Sequence, residues 1–256
     1  MFWRRSKRRK IKTPKRGFSL FFWRDPFWDF RTWLRRMVRI AAMLLILAVT
    51  GPPALVLIYR DVAPPGTLLM VIRLFEGEGI KKEWVPLEKV SRHVPVAVIA
   101  LEDNLFCEHN GFDWAAIFDA AADQLRGDGP IRGGSTISQQ TAKNVFLWPG
   151  RNYVRKGLEV PFTYMMEWWW GKRRIMEVYL NVIEWGPGIY GVEAAAQAYF
   201  NKPARRLTRR EAALLAAVLP NPRRWSPARP TARIKRRANS AIYRMSRLGT
   251  RANCGR

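Results

Sequence analysis

Residues 94–113 read VPVAVIALEDNLFCEHNGFD, and the fold class turns on them. Pro95 suits the first turn of a helix, and the residues from Val96 onward are predominantly apolar. The apolar stretch ends on two carboxylates, Glu102 and Asp103, beside the turn residues His109, Asn110 and Gly111. A carboxylate among Val98, Ile99, Leu101, Phe106 and Phe112 would have its pKa raised, which suits general acid/base work. A glutamate at a helix end is also an ordinary solvated or capping residue, so this segment alone leaves both readings open.

Downstream, the pattern stays helical. Asp113 can cap a helix reaching Arg126, with Gly127 as its stop. Ser135 or Thr136 can cap a helix to Leu147. Further helical stretches cover 151–170, 172–183 and 192–200, and Thr208 with Glu211 forms a capping box ahead of 212–219. The core is expected to be complete by Leu219, leaving 223–256 as a basic tail with a short helix at 231–247. Upstream, 61–91 reads as a linker, with a turn at Pro64-Pro65-Gly66 and a strand at 68–75.

Two more segments carry chemistry. Residues 133–144 read GGSTISQQTAKN. Two glycines before a helix start permit close backbone approach, and exposed N–H groups there favour an anion. Thr136, Gln140 and Lys143 share one helical face. In residues 151–159, RNYVRKGLE, Arg151, Arg155 and Glu159 recur every four residues and Lys156 lies beside them. Such a face is either an ion-pair ladder or a clamp for a polyanion. A helix-end carboxylate, an anion cradle and a cationic face together fit proton abstraction at one end of a cleft and pyrophosphate stabilisation at the other.

Charge and hydropathy place this domain. The chain has 256 residues with 45 basic and 20 acidic side chains, a formal +25. Residues 1–36 and 221–256 each hold +11, while 37–220 hold +3. A nucleic-acid-binding domain would more often carry its positive stripe on the folded body, so no nucleic-acid partner is expected. Residues 40–59 are uncharged, long enough to span ~30 Å of hydrocarbon. Pro52 and Pro53 should kink that helix. The basic flank predicts a cytoplasmic N-terminus, with Trp23, Trp28 and Trp33 near the headgroups. Two cysteines, Cys107 and Cys254, argue against a disulfide scaffold, and Cys107 is read as a small buried residue. Two histidines make a His-rich metal site an unsuitable reading.

Taken in order, these motifs resemble the peptidoglycan glycosyltransferase family (glycosyltransferase family 51). The match runs through Glu-Asp-x-x-Phe-x-x-His-x-Gly-Phe-Asp at 102–113, GGSTISQQ at 133–140 and Arg-Lys-x-x-Glu at 155–159. It continues through RIMEVYLN at 174–181 and GVEAAA at 191–196, covering about 84–225. The run YLNVIEWGPGIYG is similar to the monofunctional branch. With 36 residues after Pro220 and no Ser-x-x-Lys, a penicillin-binding transpeptidase module is not expected.

The resemblance implies a mainly α, lysozyme-like helical domain with a membrane-proximal jaw, preceded by one transmembrane helix. The domains are then a cytoplasmic tail at 1–36, the membrane helix at 37–60, the linker at 61–91, the glycosyltransferase domain at 92–222 and the tail at 223–256. It implies polymerisation of lipid II by an inner-membrane enzyme whose catalytic domain is periplasmic. Glu102 matches the general base and Glu159 the second essential carboxylate. Lys143 and Arg151 match pyrophosphate-binding positions, with Arg155 and Lys156 nearby, while Ser135, Thr136, Gln139 and Gln140 would line the cleft. Asp103 and His109 would hold the first turn, and Asn181, Glu184 and Glu193 would pack or cap. No tightly bound cofactor is implied, although a divalent cation such as Mg²⁺ would help the pyrophosphate leave. Implied partners are lipid II, the growing glycan strand, membrane lipids and the cell-division or elongation machinery. The +11 tail suits anionic headgroups. The competing readings are a lysozyme-like glycan-cleaving enzyme, which needs no cationic clamp, and a membrane-anchored non-catalytic scaffold.

Overall fold

The computed structural model describes residues 30–126, 134–150 and 152–255. The expectations for the N-terminal tail, Trp23, Trp28, the Gly127 stop, Gly133 and Arg151 therefore lie outside the described residues. The chain divides into two compact units, Met1–Val49 and Thr50–Arg256. In the first, helix α1 (Phe30–Asp61) carries an exposed apolar surface including Met43, Leu44, Leu45 and Leu47. Its length and composition suffice to cross a membrane, and Pro52 and Pro53 lie inside it without ending it.

In the second unit, the end of α1 is fastened to the folded body. The Trp170 indole donates to the Val56 carbonyl at 2.7 Å, and Arg174 donates to the carbonyls of Tyr59 and Val62, each at 2.9 Å. Next comes α2 (Leu68–Phe75), a helix where the sequence suggested a strand. Eight apolar-rich residues are too few for periodicity to arbitrate between the two. The cap decides: the Thr67 side chain accepts from the Met70 N–H at 3.3 Å. Met70 is buried, whereas Leu68, Val71, Leu74 and Phe75 face outward.

The centre is α3 (His93–Glu102), buried at every position from Val94 to Ala100. Around it stand α4 (Trp114–Arg126), α5 (Ile137–Phe146), α6 (Tyr153–Trp169), α7 (Gly171–Val182), α8 (Val192–Phe200), α9 (Arg209–Val218) and α10 (Ala232–Leu248). A small sheet of β1 (Lys81–Lys82), β2 (Glu184–Gly186) and β3 (Ile189–Tyr190) has the order β1-β3-β2. Its β1 runs parallel to β3, pairing Lys81 with Ile189, and β2 closes an antiparallel hairpin. The expected caps are present: Asp113 accepts from the Ala116 N–H, and both Thr136 and Thr208 form capping boxes.

The core does not close at Leu219. Helix α10 buries Ile234, Ala238, Ala241 and Met245, a stripe spaced by three and four residues. Ile234, Ala238 and Ala241 cover Ala213, Leu214, Ala217 and Val218 of α9. Residues read as a basic tail thus supply a core helix, and their arginines occupy its other faces. The cysteines also differ from expectation: Cys107 and Cys254 form a disulfide, with their Cα atoms 5.6 Å apart. It joins the turn after α3 to the 3₁₀ segment Gly249–Gly255 that follows α10.

Candidate active site

Glu102 ends the buried helix α3, so its carboxylate emerges from an apolar core with little room to hydrate. Its side chain is 14% exposed. Oε1 accepts from Arg237 Nη2 at 2.9 Å, and Oε2 accepts weakly from Gln140 Nε2 at 3.4 Å. Burial pushes this carboxyl above the usual range, opposed by the Arg237 charge and the Gln140 hydrogen bond. Gln140 is itself held by the Tyr179 hydroxyl, which donates to its Oε1 at 3.1 Å. Burial beside Glu102 and Asp103 pushes the Tyr179 hydroxyl well up, so it remains a donor.

The turn after α3 is built around Asp103. The Gly111 N–H donates to His109 Nδ1 at 3.1 Å, which leaves the ring proton on Nε2. Nε2 then donates to Asp103 Oδ1 at 2.9 Å. The other carboxylate oxygen of Asp103 accepts from the Ile137 N–H at 2.9 Å, and Thr136 Oγ1 donates to the Gly111 carbonyl at 2.6 Å. Gly111 has φ +91°, and a Cβ there would lie 2.7 Å from Thr163 Cγ2, so the turn requires glycine. These bonds tie Glu102's helix to the start of α5.

They also revise the expected anion cradle. The N–H groups of Thr136, Ile137 and Gln139 are already satisfied by Gln139 Oε1, Asp103 Oδ2 and Thr136 Oγ1. Three backbone donors at this helix start are therefore occupied, which leaves less of it to an anion than the sequence suggests. Thr136 and Gln139 contribute to the lining of the site while their polar groups cap α5.

Those side chains surround a cavity of about 480 Å³. Ser135, Gln139, Gln140 and Lys143 from the α5 side meet Arg155, Lys156 and Glu159 from α6. Asn152 caps α6, accepting from the Arg155 N–H at 2.7 Å, and the next turn presents the cations. Glu159 is buried and bonded by both: Arg155 Nη1 donates to Oε1, and Lys156 Nζ to Oε2 at 2.8 Å. Lys156 also reaches Ser135 Oγ at 3.1 Å. Lys143 makes no side-chain hydrogen bond among the described residues. Burial pulls its pKa down, with Glu159 acting the other way and Arg155 and Lys156 reinforcing the fall. Ser135 borders this cavity and the smaller one, about 120 Å³, that holds Glu102. One end of the site is thus a desolvated carboxylate and the other a cluster of three cations around one acid.

Every predicted site residue among the described ones lies at these two cavities. Arg237, Tyr179 and Arg73 were not foreseen. Arg237 comes from α10, 135 residues away in sequence, where an arginine-rich segment gives no contrast by which to single it out. Glu184 was read as packing but lines the larger cavity together with Arg73 of α2. Asn181 and Glu193 do hold structure: Asn181 exchanges two 2.9 Å hydrogen bonds with the Val85 backbone, and Glu193 accepts from the Ala204 N–H at 2.7 Å.

A central helix ending on a cleft glutamate, with a second acid clamped by cations, defines a glycan-processing site. The family model described as Transglycosylase matches residues 69–246. Over 214 residues, the chain is 56% identical to a biosynthetic peptidoglycan transglycosylase of Rhodospirillum centenum, covering 83% of this chain and 90% of that relative. A Caulobacter vibrioides protein of the same description is 55% identical over 77% of this chain and 86% of its own length. One from Pseudomonas fluorescens is 50% identical over 84% and 92%. The chain belongs to the transglycosylase family and is a peptidoglycan glycosyltransferase.

Proposed function

We propose that the protein polymerises lipid II at the outer face of the inner membrane, with Glu102 as general base. The 4-hydroxyl of an acceptor's GlcNAc gives its proton to Glu102 while its oxygen attacks C1 of the donor's MurNAc. The bond from C1 to the phosphate oxygen breaks, its electron pair leaves with undecaprenyl pyrophosphate, and the configuration at C1 inverts. A carboxylate with a raised pKa is a stronger base than one in water.

Lys143, Arg155 and Lys156 would neutralise the departing pyrophosphate, with Arg151 next to them in sequence. Glu159 holds Arg155 and Lys156 in place before substrate arrives, so their orientation costs nothing during reaction. Lys143, desolvated and without a hydrogen-bond partner among the described residues, gains most from an incoming anion. No group of three or more acidic, histidine or cysteine side chains among the described residues is arranged to hold a metal ion. Glu159 is already engaged by two cations and is not free to ligate a divalent cation.

The single observation that carries this reading is the pairing of a desolvated Glu102 with a cationic cavity across Ser135. A glycan-cleaving enzyme needs the first and not the second. Helix α1 would hold the enzyme in the bilayer with its basic N-terminus in the cytoplasm. Phe75, Tyr153 and Trp168 are each exposed on the catalytic unit and available to lipid. The test is polymerisation of labelled lipid II by detergent-solubilised wild type and Glu102→Gln. Long strands from wild type alone, with the variant folded, are expected. Equal polymer from both would place the base elsewhere.

A further inference from the structure

Four buried polar atoms without a hydrogen-bond partner among the described residues belong to one cluster: Arg73 Nε, Glu78 Oε2, Glu184 Oε1 and Tyr190 OH. The side chain of Glu184 is 8% exposed and that of Arg73 17%. Both line the cavity that contains Lys143, Arg155 and Lys156. Folded proteins seldom leave such atoms unmatched, because each retains the cost of leaving water without a bond in return. Four in one place, two of the side chains facing a cavity, mark a site awaiting a partner.

The chemistry of that partner can be narrowed. Glu76, Glu78 and Glu184 outnumber Arg73 and Arg223 in this cluster, which disfavours an anion as its partner. Arg73 is turned toward Glu76 through Nη1 and Arg223 toward Glu78 Oε1, and of the four unmatched atoms Arg73 Nε and Glu184 Oε1 belong to the two side chains that line the cavity. They lie 3.8 Å apart, too far to bond each other. A single oxygen about 2.8 Å from each would bridge them, donating to the carboxylate and accepting from the guanidinium. A hydroxyl does both. A trans amide cannot, because its N–H and C=O point in opposite directions.

We propose that Arg73 and Glu184 form a saccharide subsite that recognises one hydroxyl of the lipid-linked substrate while the cations across the cavity hold its pyrophosphate. This rests on the polymerase reading and adds a specificity-determining pair from α2 and β2, elements outside the catalytic motifs. It gives β2 a role beside the cavity: the hairpin delivers Glu184 to one edge of it.

The test uses the full-length protein in detergent and a set of lipid-linked disaccharide donors, each with one saccharide hydroxyl replaced by hydrogen. For wild type, one deoxy donor should show KM raised at least about tenfold relative to the unmodified donor, with kcat little changed, from the loss of its hydrogen bonds to two charged groups. Glu184→Ala should raise KM for the unmodified donor and abolish the penalty for that one deoxy donor. Glu184→Gln, which keeps an acceptor and the side-chain shape, should restore part of the discrimination, and thermal melts report whether each variant is folded. If no deoxy donor is penalised by wild type, or the penalty is the same in both variants, the subsite is wrong and the buried pair binds water alone. If wild type makes no polymer from the unmodified donor, the polymerase reading fails, and this inference with it.

Discussion

At the residue scale, the proposed mechanism sets two groups with opposite shifts at the two ends of the reaction. Glu102 must be ionised to take a proton, and burial holds its pKa above the ordinary 4.5. Activity should therefore fall on acidification at a pH above the usual carboxylate range. Lys143 must be charged to hold pyrophosphate, and burial holds its pKa below the ordinary 10.5. Activity should then fall on the alkaline side before an exposed lysine would titrate. Arg237→Ala removes the cation that favours ionised Glu102, so the acid limb of kcat/KM against pH should move upward. Lys143→Arg keeps its charge at high pH and should extend the alkaline limb. An acid limb unmoved in the Arg237 variant would mean that Glu102 is not the titrating base. Glu159 makes a different prediction. It is buried with Arg155, so Glu159→Ala leaves a desolvated cation uncompensated, a loss of about 3–5 kcal/mol. A denaturant or thermal melt of that variant should show the loss, and an unchanged melt would make the cluster functional only.

At the element scale, the motif-bearing helices were legible because their signals are local. The capping boxes at Thr136 and Thr208, the Asp113 cap and the apolar run before Glu102 each specify structure within a few residues. For the same reason Glu102, Lys143, Lys156 and Glu159 stand out in short motifs, and they gather at adjoining cavities. Helix α2 was misread because eight residues of mixed apolar type carry no usable period. Helix α10 is legible as a helix but not as core: its four buried positions are diluted by nine basic or polar neighbours of high contrast. Cys107 and Cys254 are 147 residues apart, and no local pattern links them. That disulfide clamps the turn after Glu102 to the segment after Arg237's helix, and Arg237 and Glu102 meet in a hydrogen bond. Closing so long a loop is expected to stabilise the fold by roughly 2–4 kcal/mol. Cys107→Ser, Cys254→Ser and reductant-treated wild type should melt at one common lowered temperature, and reductant should not lower either variant further. Separate effects would contradict the bond.

At the whole-molecule scale, the chain's charge is concentrated at its ends while its chemistry lies between them, and the two ends differ in kind. Residues 223–256 cannot be removed to test headgroup binding, because α10 covers α9 and carries Arg237. A chain ending at residue 222 should expose Leu214 and Val218 and fail to give a cooperative melt. The N-terminal end is separable by contrast. The unit Thr50–Arg256 holds the described core, including Val56 at the foot of α1, so a chain lacking residues 1–49 should keep its melting behaviour. What it should lose is residence. A membrane-spanning helix confines enzyme and lipid-linked substrate to one surface, which raises their effective concentration without a new contact. The exposed Phe75, Tyr153 and Trp168 would still give the truncated protein reversible affinity for a bilayer. In vesicles carrying lipid II, the full chain should float with the lipid after dilution and keep polymerising, whereas the shortened chain should wash off and slow as it is diluted. In detergent at high enzyme concentration the two should match. A shortened chain that is unfolded would refute the independence of the second unit, and one that polymerises equally well in diluted vesicles would show that the catalytic unit's own apolar surface is anchor enough.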